Sequence, residues 1–261
     1  MAFKRIVLWC EFPQRVDWKR LDRILEEAMY KPEIYVACTS YENYKWWARE
    51  IRKQCRNIRE VNAWPVLAKN EGYWFSGFTS KQGIDRLLEY KNTKLKIDLE
   101  PPLPRFNYSN LNVLRYLIKI LFKKGKNRHY LARTISELSK NNEVLVNEFP
   151  LPEFILKRWG CYYNTENKNV MCYTSLLKHR TLLRWWNFMM AKRRKAAMCS
   201  LGLVHSGIFG NEPHYRNVKE LATDMRYALR EGFSSIAVYS IDAIAKRSDA
   251  ISWLKALKDF S

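Results

Sequence analysis

No two of the six cysteines stand in a C-x-x-C pair, and none has a histidine at zinc-finger spacing. That leaves no sequence signature of a zinc ribbon, a zinc finger or a thioredoxin-type redox centre. Cys10, Cys38, Cys172 and Cys199 lie in apolar, strand-like runs, where a free thiol behaves as a small hydrophobe. With Cys55 and Cys161, all six read as reduced thiols in an intracellular, cytoplasmic setting. No G-x-G-x-x-G follows the first strand, so the chain lacks the main signature of an open dinucleotide-binding sheet. No apolar run is long enough for a membrane span, and residues 1–10 reach Glu11 too soon for a signal peptide. No low-complexity tract, short-period repeat or interior domain boundary is visible, and the basic residues form no compact tail.

What is present is ample material for a core. The 261 residues are 47% hydrophobic and 14% aromatic, a composition that excludes intrinsic disorder. The net charge is +20, from 46 Lys and Arg against 26 Asp and Glu. Such an excess suits an anionic partner or a solvated basic exterior. Apolar runs predict strands at 5–12, 34–39, 58–67, 95–100, 143–149, 170–174, 196–205 and 235–241, each followed by helix. Runs that are continuously apolar, without alternating polar positions, are what a parallel sheet covered on both faces requires. Eight such units in this length predict one α/β domain over 1–261, a single (β/α)₈ TIM-type barrel.

In that fold the strand C-termini converge on one cavity, and acids recur there. Glu11, Glu100 and Glu148 each close a strand just before a proline stop. Asp98 is two residues before Glu100, so both carboxylates lie on one face of the fourth strand. Like charges at that spacing raise one pKa and leave a proton available for general acid catalysis. Glycoside hydrolysis needs such an acid and a second group opposite it. The expected assignment is Glu100 as acid, Asp98 as its modulator, and Glu148 or Glu11 as second carboxylate. Trp64 and Trp74 are expected as stacking platforms for a sugar face. Tyr173, His205, Asn211, Glu212 and Asp242 are further expected ligand contacts from the other strand ends. Trp9 reads as barrel core, and Trp46, Trp47, Trp185 and Trp186 as helix-to-barrel packing.

Ile97-Asp98-Leu99-Glu100 resembles the tail of the D-x-D-x-E strand of chitinase-like TIM-barrel glycoside hydrolases. Met171-Cys172-Tyr173 is similar to the M-x-Y strand of the same family. The resemblance covers about ten residues. It implies Glu100 as the acid, Asp98 as its assistant, the substrate's own N-acetyl group as nucleophile and Tyr173 as a residue that holds that group. Lys96 stands where the family has its first aspartate. Asn211-Glu212-Pro213 is similar to the N-E-P acid motif of another group of barrel glycosidases. There it follows the fourth strand and here the seventh, so its role is not carried over.

Two other readings are open, the first using the same acids. Glu11, Asp98, Glu100 and Glu148 are hard oxygen donors that suit Mg²⁺ or Mn²⁺ in a sugar-phosphate or phosphodiester enzyme, with His205 nearby and the 207–210 loop against a phosphate. Under the glycosidase reading no cofactor is expected. A non-enzymatic reading places nucleic acid or an acidic partner on the basic helix spanning 178–195, with Arg180, Arg184 and Lys192-Arg193-Arg194-Lys195. A carbohydrate or other small polar ligand is the expected partner, with no membrane contact.

Overall fold

The computed structural model describes residues 2–104, 109–176 and 180–261. Eight parallel strands close into a barrel in chain order, with β1 pairing back to β8. The first half runs β1 (Arg5–Cys10), α1 (Trp18–Glu27), β2 (Glu33–Cys38), α2 (Tyr41–Gln54), β3 (Glu60–Pro65), α3 (Lys81–Asp85) and β4 (Leu95–Leu99). Two helices, α4 (Asn110–Leu121) and α5 (Arg128–Leu138), precede β5 (Val144–Glu148) and α6 (Glu153–Trp159). The chain closes with β6 (Lys168–Met171), α7 (Arg180–Arg193), β7 (Met198–Gly202), α8 (Val218–Arg230), β8 (Ser235–Tyr239), α9 (Ile241–Lys246) and α10 (Ala250–Asp259). The (β/α)₈ barrel expected from the apolar runs is the observed fold.

Period two along the strands sorts side chains into two layers. Val7, Trp9, Tyr35, Trp64, Leu145, Met198, Ala237 and Tyr239 pack together inside the barrel. Ile6, Leu8, Ile34 and Val36 pack outward against helices on one side, and Ile97, Leu99, Val144 and Val146 do so on the other. Each such fully buried aliphatic side chain contributes about 1.5–3 kcal/mol. The N-terminal end of the barrel is plugged by Glu33, which accepts from Arg5 Nε at 3.0 Å and from Asn62 Nδ2 at 3.0 Å. All six cysteines are free and buried. Among the described residues no helix is long and apolar enough to cross a membrane.

Two departures from a regular barrel shape the C-terminal mouth. β3 and β4 pair only at Ala63 and Leu95. Beyond that point the loop after β3 fills the gap. Phe75 bridges to Leu99, its N–H donates to the Asp98 carbonyl at 3.1 Å, and its own carbonyl accepts from the Glu100 N–H at 3.0 Å. Gly72 permits this path. Its φ is +108°, and a Cβ there would lie 3.3 Å from the Pro102 side chain. The long 68–80 loop thereby carries Tyr73 and Trp74 to the mouth. The second departure is α4, placed beside the mouth, with Tyr116 donating through Oη to the Pro102 carbonyl at 2.5 Å. Its far end is pinned where Gly125 donates to the Arg158 carbonyl at 3.0 Å.

The helical tryptophans divide. Trp47 packs on the core, and Trp186 Nε1 donates to the Pro150 carbonyl at 2.8 Å. Trp46 and Trp185 are 48% and 53% exposed, which corrects their reading as packing residues. The basic helix is largely committed to structure. Arg184 Nη2 is 2.6 Å from Asp224, Lys192 pairs with Glu231 at 2.9 Å, and Arg194 is buried against Glu148. Lys178, assigned to that helix from sequence, lies outside the described residues.

Candidate active site

A cavity of about 210 Å³ opens at the C-terminal end of the barrel. Its acids are Glu11, Asp98, Glu100 and Glu212, and its aromatic wall includes Trp64, Trp74, Tyr173 and Tyr239. Seven residues expected from sequence therefore meet in one place. The volume falls below the ~300–1,000 Å³ of sites for drug-sized ligands.

Lys96, Asp98 and Glu100 alternate along β4 and its end, so all three project inward. Lys96 is 1% exposed, and its Nζ lies 2.8 Å from Asp98 Oδ1. The same ammonium sits 3.3 Å from the Trp64 ring centroid and 4.6 Å from that of Trp9, so both indole faces favour its positive charge. Burial pushes Lys96 below its usual range, and the Asp98 carboxylate opposes that shift. Asn147 Nδ2 donates to Asp98 Oδ1 at 2.7 Å. Asn169 in turn donates to Asn147 and to Ser200, whose Oγ accepts from Trp9 Nε1 at 3.3 Å. A polar chain thus crosses the barrel under the cavity and fixes Asp98 as an ion-paired carboxylate.

Glu100 is 5% exposed. Burial pushes its carboxyl well above the ordinary range, the Asp98 charge adds to the rise, and Lys96 opposes it. That direction favours the protonated form, the state a general acid needs. Glu11 is also buried, and its carboxyl accepts from Tyr239 Oη. Burial and the neighbouring Asp242 push Glu11 up to about 8, against a lowering by its hydrogen bond with Tyr73. Asp242 stands behind this wall, accepting from the Glu11 backbone N–H at 3.1 Å, and burial raises its own carboxyl. Tyr173 borders Asp98, Glu100 and Glu11, and burial holds its hydroxyl protonated.

Two buried polar atoms on the lining have no hydrogen-bond partner among the described residues: Trp64 Nε1 and Glu212 Oε2. The other Glu212 oxygen accepts from the Phe209 N–H at 2.9 Å, which fixes the carboxylate in place. An unpaired buried donor and an unpaired buried acceptor cost about 1–3 kcal/mol each unless a ligand or water meets them.

Other expected residues are not brought to the cavity. Glu148 points outward into the helix layer. Its Oε1 accepts from the Tyr163 N–H at 2.9 Å and its Oε2 lies 3.2 Å from Arg194 and 3.8 Å from Lys168. The register pairs Leu99 with Glu148, so the glutamate shares the outward face of Leu99, not the inward face of Glu100. His205 is exposed and stacks on His214 with ring centroids 5.0 Å apart, and Asn211 is exposed. Neither is among the described lining residues. The oxygen donors expected for a divalent metal are therefore split between two layers. Among the described residues, no group of three or more His, Cys, Asp or Glu side chains is placed to hold a metal ion.

Sequence reasoning passed over Lys96 as a site residue, although it lies two positions before Asp98 and four before Glu100 on the same face. Strand parity alone puts it with them. Tyr239, which its place at the end of β8 also delivers to the mouth, lines the cavity. The contribution of α4, through Val113, Tyr116 and Leu117, had no sequence signal, because its inward face is apolar like any helix face.

No protein-family model matches the chain, and no curated protein matches it in sequence. Solved structures do match. The glycoside hydrolase domain of PgaB (BpsB) from Bordetella bronchiseptica superposes with a TM-score of 0.59 at 12% identity, covering 98% of this chain and 99% of that one. A family GH18 chitinase from Cycas revoluta, in complex with allosamidin, superposes with a TM-score of 0.53 at 9% identity, covering 97% and 98%. At these identities the likeness shows a shared TIM-barrel fold.

Proposed function

We propose that the chain is a glycoside hydrolase-like enzyme acting on a carbohydrate held in the β4 cavity. The observation that carries this reading is Glu100, a buried carboxyl at a strand end, raised well above the ordinary range by burial and the Asp98 charge and facing a cavity walled by Trp64, Trp74 and Tyr173. Glu100 donates its proton to the glycosidic oxygen as the bond to the anomeric carbon breaks. Asp98 stays ion-paired with Lys96 and holds the Glu100 proton in place by charge repulsion of the ionised form. Glu11 accepts the proton of the attacking water in its ionised form, whose share grows as pH rises toward about 8. The product hydroxyl then carries the Glu100 proton, and solvent exchange restores both acids. Trp64 and Trp74 stack on the sugar face. Trp64 Nε1 meets a sugar acceptor, and Glu212 Oε2 meets a hydroxyl or amine donor.

A second carboxylate is favoured over the substrate-assisted route that the chitinase-like motif implies, in which an aspartate stands at the position of Lys96. Here Lys96 and Asn147 clamp Asp98. The test is hydrolysis of a panel of chromogenic glycosides by the wild type and by Glu100→Gln. Turnover by the wild type that Glu100→Gln abolishes supports the reading. Turnover that survives the substitution ends it.

A further inference from the structure

The +20 charge is not evenly spread. Residues 101–136 contain eight Lys and Arg and no Asp or Glu, and residues 167–211 again contain eight and none, although Lys168, Arg184, Lys192 and Arg194 of the second stretch pair with acids from elsewhere. These stretches include α4 and α7, which flank one groove lined by Leu114 on α4 and Leu183 and Asn187 on α7. Apolar side chains stand out from the same helices. Leu111, Leu114, Ile118 and Phe122, at spacings of three and four along α4 and its C-cap, are 56%, 54%, 54% and 77% exposed. On α7, Leu182 is 67% and Trp185 53% exposed. Arg115, Lys119, Lys123, Lys124 and Lys126 are exposed among and beyond them.

The inward side of α4 is already satisfied by the cavity wall through Val113, Tyr116 and Leu117. The outward stripe is thus a second apolar face, which packing among the described residues does not account for. We propose that this α4–α7 face seats the protein on an anionic lipid surface, with the Leu, Ile, Phe and Trp side chains entering the headgroup region and the lysines meeting lipid phosphates. An amphipathic helix with aromatic and leucine residues on one face and lysines along its edges has the chemistry of interfacial binding. A nucleic acid backbone would pair the lysines and leave the apolar stripe in water. A two-fold contact with a second copy would bury the stripe and set the basic rim of α4 against its own image. A lipid surface satisfies both sets of groups. It also places the cavity mouth beside the membrane, because the same helix forms the mouth's wall. Interfacial contact needs no spanning run, so it replaces the expectation of no membrane contact, which rested on that absence. The inference stands whether or not the cavity hydrolyses a sugar.

The test is co-sedimentation of the full chain with phosphatidylcholine vesicles, with and without phosphatidylserine. The chain is expected to bind the phosphatidylserine vesicles, to ignore phosphatidylcholine alone, and to be released by salt. Ile118→Glu lowers the partition about tenfold or more. Replacing Lys119, Lys123 and Lys124 together by alanine lowers it about fivefold per charge. This triple variant changes only exposed side chains and carries the test if Ile118→Glu fails to fold. Equal binding to both vesicle types overturns the proposal, as does no binding to either, or unchanged binding by the folded variants. A concentration-dependent dimer that Ile118→Glu dissolves, with no vesicle binding, overturns it in favour of a second copy.

Discussion

Glu100 and Glu148 stand on neighbouring strands, one position apart in register, and each is followed by a proline stop. Both are buried, and burial pushes both carboxyls above the ordinary range. Their surroundings differ in one respect. Glu148 has two cations and a backbone N–H on it, whereas Glu100 has the Asp98 carboxylate as neighbour and the cation Lys96 already bonded to Asp98. A buried acid with its own counter-ions is a structural element. A buried acid beside another acid, facing a cavity, holds a proton that chemistry can use. A single step in strand parity separates the two outcomes.

The contrast breaks first, and by the largest amount, at Glu100. Glu100→Gln should lower kcat about a hundred- to ten-thousand-fold on any substrate the wild type turns over, with the urea midpoint unchanged or raised. Glu148→Gln should do the reverse. It leaves Arg194 and Lys168 buried without their carboxylate and costs about 3–5 kcal/mol of stability, read by urea unfolding, while activity per folded molecule stays at the wild-type level. Comparable activity loss in both variants would erase the distinction.

Glu11 sharpens it through pH. Its folded-state value of about 8 lies above its ordinary 4.5, so the stability linked to it is full below 4.5 and is lost as pH rises to about 8. Glu11→Gln stays neutral throughout. The variant should therefore gain stability over the wild type progressively across that window, on the order of a few kcal/mol at its upper end, in urea titrations at several pH values. A gain confined to acid pH would contradict the sign. The smallest effect is expected at Lys96. Lys96→Met removes the cation that lowers the Glu100 carboxyl, so the alkaline limb of the kcat profile should move to higher pH. Loss of a cation from the outer layer, as in Arg194→Met, should leave that limb in place.

The barrel was legible because its signal is long and redundant: eight apolar runs, each with helix after it, admit few closed arrangements. The acid pair on β4 was legible because parity acts within one strand. Glu148 was misplaced although the sequence held its orientation. Val144, Val146 and Glu148 share a face, and two valines there mark it as the layer that packs on helices. A terminal glutamate before a proline carries no information on which face it takes, and parity does. Lys96 departs from the family motif, and the same parity puts it inside. The exposed Trp185 and the bridging Phe75 had no local signal. Their places depend on where α7 and the 68–80 loop settle, which no spacing in the sequence encodes.

The central claim is that Glu100 carries a proton near neutrality and Glu148 does not serve that role. Infrared spectroscopy in D₂O reads this directly through the carbonyl stretch of a protonated carboxyl, without any substrate. The account predicts such a band at neutral pH in the wild type, reduced in Glu100→Gln and unchanged in Glu148→Gln. A wild-type spectrum without the band, or a band that Glu100→Gln leaves intact, would contradict it.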